Sequence, residues 1–139
     1  MSDMGTFRID VEIENPARAG ERRIIAALLV DTGSELSWIP ARELDALGIR
    51  RSRSMRFRQT SGPVVERWVG IAIVHVGGIA TGDDVVFAEA NDVSLLGSRT
   101  LEGLNVRIDP VSKQLVDAGP APAAAHSILQ GSFAEQRVW

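Results

Sequence analysis

The sequence contains no cysteine. Disulfide staples, Cys-ligated metal centres and thiol nucleophiles are therefore excluded. Histidine is scarce as well: only His75 and His126 occur, too few for a histidine-rich metal cluster. Long hydrophobic runs are missing. The longest, Ile24 to Val30, is far shorter than the ~20 residues that span a bilayer as a helix. Met1 to Phe7 is polar and lacks the apolar core of a secretory signal. The expectation is a soluble, cytoplasmic protein with no membrane contact. Positive charge is not in excess: the net charge is −3, which argues against broad nucleic-acid binding. The one basic stretch, Arg50-Arg51-Ser52-Arg53, reads as a solvated loop after a helix. No cofactor and no metal is expected.

What remains is ordinary globular material of single-domain size, 139 residues with 45% hydrophobic and 24% charged. Phe7, Ile9, Val11 and Ile13 alternate with charged residues, which predicts a strand with one wet face. Ile24 to Val30 is short and continuously apolar, and predicts a strand buried on both faces. Pro40 and Gly48 bracket a short helix over Ile39 to Leu47, with Leu44 and Leu47 on one side. Ser54 to Phe57 and Val64 to Val76 are strand-like, and Gln59-Thr60-Ser61-Gly62-Pro63 between them reads as a hairpin tip. Further strands are expected at Val85 to Phe87, Val93 to Leu96, Leu104 to Ile108 and Gln114 to Val116. A single helical turn is expected over Ser98 to Glu102. Six to eight short strands with one or two short helices make an all-β or mainly β chain, closed or nearly closed into a barrel. The domain is expected to span residues 1–118. From Gly119 the Pro/Ala-rich composition reads as a linker leading to a tail, Ser127 to Trp139, that either docks on a partner or is disordered.

One segment carries chemistry: Leu28-Leu29-Val30-Asp31-Thr32-Gly33-Ser34. A carboxylate follows an apolar strand and emerges where water is partly excluded, a setting suited to acid/base work. Gly33 lets the backbone turn, and the hydroxyls of Thr32 and Ser34 can orient the carboxylate. The bland reading of such a segment is an Asx-type turn that merely ends a strand. Asp83-Asp84 and Asp92 lack this strand-and-glycine context. Trp38 is expected either to line a pocket or to pack in the core. Arg67 and Glu66 read as a solvated hairpin face, and His75 as a surface or internally satisfied side chain.

The Asp31-Thr32-Gly33-Ser34 segment resembles the active-site motif of the retropepsin-like, retroviral-type aspartic proteases, including their bacterial relatives. Phe57 to Val69 resembles the flap hairpin of that family. Val93 to Gly97 resembles the hydrophobic-hydrophobic-Gly element that packs beside the catalytic loop, and a short helix follows it there too. The resemblance implies a closed acid-protease β-barrel and an aspartic endopeptidase, a hydrolase acting on peptide or protein substrate. It implies Asp31 as the catalytic residue. Thr32, Gly33 and Ser34 would support the loop, Thr32 by bracing it across a two-fold axis and Ser34 by bonding the outer carboxylate oxygen. It implies Gln59, Thr60, Ser61, Gly62 and Trp68 as flap and substrate-binding residues, and Leu95, Leu96 and Gly97 as the packing element. Because the chain holds one such Asp, the second carboxylate would come from a homodimer partner. The alternative is a non-catalytic module of the same fold, used for peptide binding or dimerisation.

Overall fold

The computed structural model describes residues 7–124. His126 and the tail from Ser127 to Trp139 lie outside the described residues. The described chain is mainly β. Its elements are β1 (Arg8–Glu14), β2 (Arg22–Val30), β3 (Ser37–Pro40), α1 (Ala41–Ala46), β4 (Arg53–Arg58), β5 (Val64–Val76), β6 (Ile79–Ala88), β7 (Leu95–Leu96), α2 (Ser98–Leu104), β8 (Val106–Asp109) and β9 (Gln114–Asp117). None of the helices among the described residues is long and apolar enough to cross a membrane.

Alternation in β1 works as the pattern requires: Val11 and Ile13 are buried while Arg8 and Asp10 are exposed. β2 departs from expectation. It is not buried on both faces, since Ile24 is 66% exposed and Ala26 and Ala27 face solvent. Its outward face is open to solvent, and a β-bulge decides which residues take that face. The register with β1 shifts between Ile9 and Val11, opposite Ala27, whose φ is +52°. Asp10 Oδ1 accepts the Ala27 N–H at 2.8 Å, and Arg8 Nη1 donates to the Ala27 carbonyl at 3.1 Å. The extra residue breaks the period of two, so Ile25, Leu28 and Val30 point inward instead of every second residue.

The helix predicted over Ile39 to Leu47 is shorter, because Trp38, Ile39 and Pro40 belong to β3. That strand pairs in parallel with β6, Ser37 opposite Val85 and Ile39 opposite Phe87. Pro40 therefore sits before the helix and not within it. β5 joins β6 through Gly77-Gly78, with φ of +57° and +112°. Positive φ at both loop positions suits the twist of a two-residue hairpin and favours glycine.

Seven strands pair in the order β1-β2-β7-β3-β6-β5-β4, and β5 also pairs with β1. Six strands thus form a continuous ring, while β4 hangs from β5 with its other edge unpaired among the described residues. The main core fills the ring, with Val11, Ile13, Ile39, Leu44, Phe87 and Leu96 fully or almost fully buried. A second cluster of Leu36, Trp38, Val69, Val86, Ala88 and Leu95 lies beneath the β4–β5 hairpin, whose Met55, Phe57 and Val65 pack on it. Each fully buried side chain of this kind stabilises by roughly 1.5–3 kcal/mol, so these two clusters dictate where the loops between them must lie.

Candidate active site

The segment between β2 and β3 holds Asp31. β7 inserts between these two strands, parallel to β2 with Leu29 opposite Leu95 and antiparallel to β3 with Trp38 opposite Leu95. The loop is consequently caught against the start of α2. The Asp31 N–H donates to the Leu96 carbonyl at 2.9 Å. In return, the N–H groups of Ser98 and Arg99 donate to the carbonyls of Ser34 and Glu35 at 2.8 and 3.0 Å. Gly97 makes this approach possible: a Cβ placed there would lie 2.5 Å from the Leu36 carbonyl oxygen. Its φ of −94° is ordinary, so close backbone approach, not conformational freedom, requires the glycine.

Behind the loop lies a buried polar chain that sequence reasoning missed. The Gly97 N–H donates to Ser37 Oγ at 2.9 Å, Ser37 Oγ lies 2.6 Å from Thr100 Oγ1, and Thr100 Oγ1 donates to Asp83 Oδ2 at 3.1 Å. Ser37 and Thr100 are fully buried, so every donor in this chain must have its acceptor. With Gly97 donating to Ser37 and Thr100 donating to Asp83, the remaining proton runs from Ser37 to Thr100. The only trace in the sequence is a lone serine inside the apolar stretch from Leu36 to Ile39. Nothing pairs it with a threonine 63 positions later.

Asp31 itself is half-buried, with Oδ1 accepting the Gly33 N–H at 2.9 Å. Thr32 and Gly33 are exposed at the loop's tip. Ser34 differs from expectation: its hydroxyl donates to the Leu36 carbonyl at 2.7 Å and not to the Asp31 carboxylate. A hydroxyl has one proton to give, and here it closes the turn into β3.

Asp31, Gly33 and Ser34 line one wall of a cleft of about 620 Å³, and the consecutive residues Met55 to Thr60 line the other. Six consecutive residues include side chains from both faces of β4, so the strand's unpaired edge borders the cleft. Trp38 forms part of the floor and also packs, its ring 5.1 Å from that of Phe57 in an edge-on contact. Of the expected flap residues, Gln59 and Thr60 border the cleft, whereas Ser61, Gly62 and Trp68 do not. Trp68 lies opposite Ser54 on the outer face of the hairpin, because Phe57, Val65 and Val69 take the inner face. Leu95 borders the cleft, and Leu96 and Gly97 sit buried behind it.

Arg67 is not a solvated hairpin residue. Its Nε and Nη2 donate to the two oxygens of Asp92 at 2.7 and 2.9 Å, both side chains being largely buried. This bidentate pair ties the hairpin to the loop before β7. The Arg67 guanidinium, with help from the Glu89 N–H, holds the Asp92 carboxyl below the usual carboxylate range, against the opposing effect of burial. His75 is internally satisfied: its Nε2 lies 2.6 Å from Glu14 Oε1, on the far side of the ring. Among the described residues no group of three or more acidic, His or Cys side chains is placed to hold a metal.

Compared with known protein families, residues 21–103 match the gag-polyprotein aspartyl protease model. That span is more than half of the chain and contains the Asp31 loop, the hairpin, β7 and most of α2. Comparison with curated proteins gives no match.

Proposed function

The chain belongs to the gag-polyprotein aspartyl protease family, and from that premise we propose that it is an aspartic endopeptidase whose catalytic pair forms across a homodimer. The observation that supports this most is the placement of Asp31: on a backbone-clamped loop, at the wall of a cleft whose opposite wall is a strand edge that no described strand pairs with.

Peptide hydrolysis by this route needs two carboxylates sharing one proton, because two like charges a few ångströms apart do not both ionise cheaply. The ionised one takes a proton from water as it attacks the scissile carbonyl. The protonated one donates a hydrogen bond to that carbonyl's oxygen. Asp92 lines the same cleft but is committed to Arg67, and Glu35 lies on the same wall as Asp31 without the glycine turn that orients Asp31. A two-fold axis at the exposed tip Thr32-Gly33 would bring Asp31 against its own copy. An extended substrate would pair with the β4 edge as an added strand, and the domain would run over residues 1–118. Leu95, Leu96 and Gly97 keep the loop in place, and Gln59 and Thr60 border the substrate.

The test is cleavage of an unfolded protein from acid to neutral pH by wild type, by Asp31→Asn and by mixtures of the two, with solution mass measured in parallel. Asp31→Asn is expected to lose at least ~10³-fold in rate with fold and dimer mass intact. Added in excess, it should also suppress wild-type activity by forming heterodimers with a single functional carboxyl. Absence of cleavage at every pH from a confirmed dimer would favour the non-catalytic peptide-binding module.

A further inference from the structure

Most arginines in the described chain place their charge against a carboxylate. Arg22, Arg23, Arg42, Arg51, Arg53, Arg67 and Arg99 all come within 4 Å of an Asp or Glu oxygen, and of the remaining described arginines only Arg56 and Arg58 line the cleft. Arg56 and Arg58, which line the cleft, make no such ion pair among the described residues. Glu66 stands opposite Arg56 across the hairpin yet forms no ion pair with it, and Val64 stands opposite Arg58. Two residues apart on one strand, Arg56 and Arg58 share a face. Two unneutralised guanidiniums on one face repel each other, and a partner supplying negative charge relieves that repulsion.

Their strand also has an edge that no described strand pairs with, and that edge borders the cleft. A peptide added to β4 alternates its side chains between two faces. On one face they lie level with Arg56 and Arg58. On the other they lie level with Met55 and Phe57, over Leu36, Trp38 and Leu95. Glu35, exposed and without an ion pair among the described residues, lines the far wall and repels an acidic residue placed on that inner face, which sets the phase. We propose that the β4 edge selects extended peptides in which acidic residues alternate with apolar ones, the acidic residues against Arg56 and Arg58 and the apolar ones over Trp38. The proposal rests on the reading of the cleft as a peptide site and names the substrate class that site takes.

The experiment uses the full chain carrying Asp31→Asn, so that peptides bind without being cut. Binding of short fluorescent peptides with alternating Glu/Leu, Ser/Leu and Lys/Leu is followed by anisotropy. The Glu/Leu peptide should bind at least ~10-fold tighter than Ser/Leu, and raising ionic strength from ~0.05 to ~0.5 M should remove most of that preference. With Arg56→Glu and Arg58→Glu added, the preference should invert to Lys/Leu. Both positions are exposed, so the variant should keep its circular dichroism spectrum. Equal affinity for all three peptides, a preference that survives charge reversal, or no binding of any peptide overturns the proposal. So does displacement of the Glu/Leu peptide by single-stranded DNA more readily than by unlabelled peptide, which would make the edge a polyanion surface. Charge-selective binding without cleavage of any substrate by wild type would sink the peptidase reading and leave this one standing. Cleavage with no charge preference would do the reverse.

Discussion

The loop that carries Asp31 and the hairpin that overhangs it border the same cleft but are held by different physics. The loop is fixed by backbone hydrogen bonds to β7 and α2, by the contact of Gly97 with Leu36, and by a buried hydroxyl chain ending at Asp83. Each of these interactions is short-range and intolerant of added volume. The hairpin is anchored by an apolar face resting on Trp38 and by the Arg67–Asp92 pair, while its outer face and one strand edge are open. Few buried contacts and an unpaired edge mark a segment that opens at low free-energy cost. The difference teaches a division of labour: the wall that bears the carboxylate is rigid, and the wall that would meet a peptide is adjustable.

Three substitutions would break or sharpen this contrast. The largest effect should come from Gly97→Ala, whose Cβ would press on backbone at Leu36 and Glu35. Backbone cannot swing aside as a side chain can, so a loss of about 3 kcal/mol is expected by chemical denaturation. Tolerance of alanine there would show the loop to be looser than described.

Arg67→Met comes next, at about 2 kcal/mol, because it leaves a largely buried Asp92 without its cation. Its pH dependence is diagnostic. Asp92 is held below the usual carboxylate range in the folded chain, chiefly by Arg67. The pair's contribution is therefore fully present above the ordinary Asp range and disappears as pH falls through the lowered value. The stability gap between wild type and Arg67→Met should narrow in acid; a gap that stays constant down to the lowest pH at which both fold would remove the electrostatic account.

The smallest effect belongs to Phe57→Ala, roughly 1 kcal/mol, because the ring is only half-buried and its edge-on contact with Trp38 is the main loss. Hydrogen exchange should accelerate at amides of β4 and the 59–63 tip while those of Asp31 and Ser98 stay protected. Uniform acceleration across both regions would show that hairpin and loop open as one unit.

Local chemistry was readable in the sequence where one residue type or one period settles the outcome. Val64 to Val76 was expected as a strand and is one over those same residues, closed by the Gly77-Gly78 pair. The turn at Asp31, the helix after Gly97 and the hairpin around Gln59 to Pro63 also stand where their residues placed them. Less was readable wherever a distant partner decides. Ile24 is apolar yet exposed because a bulge pinned by Arg8 and Asp10 turns its strand. Trp38 and Ile39 form a strand because β6 and β7 lie on either side of them. Trp68 faces out because its hairpin neighbours took the inner face.

The sequence by itself determined the mainly β character, the single Asp-Thr-Gly turn and its family, because hydrophobic period, glycine placement and a short motif are properties of neighbouring residues. Only the tertiary structure decided that Ser37 and Thr100 brace the loop, that Ser34 bonds to Leu36 and not to Asp31, and that, among the described residues, Arg56 and Arg58 stand without an ion pair at an unpaired strand edge. The hydroxyl chain depends on groups that meet across 60 or more positions and the arginines on which strand edge the described strands leave without a partner, while the Ser34 bond spans only two residues but follows from the turn that the pairing of β3 with β6 and β7 imposes.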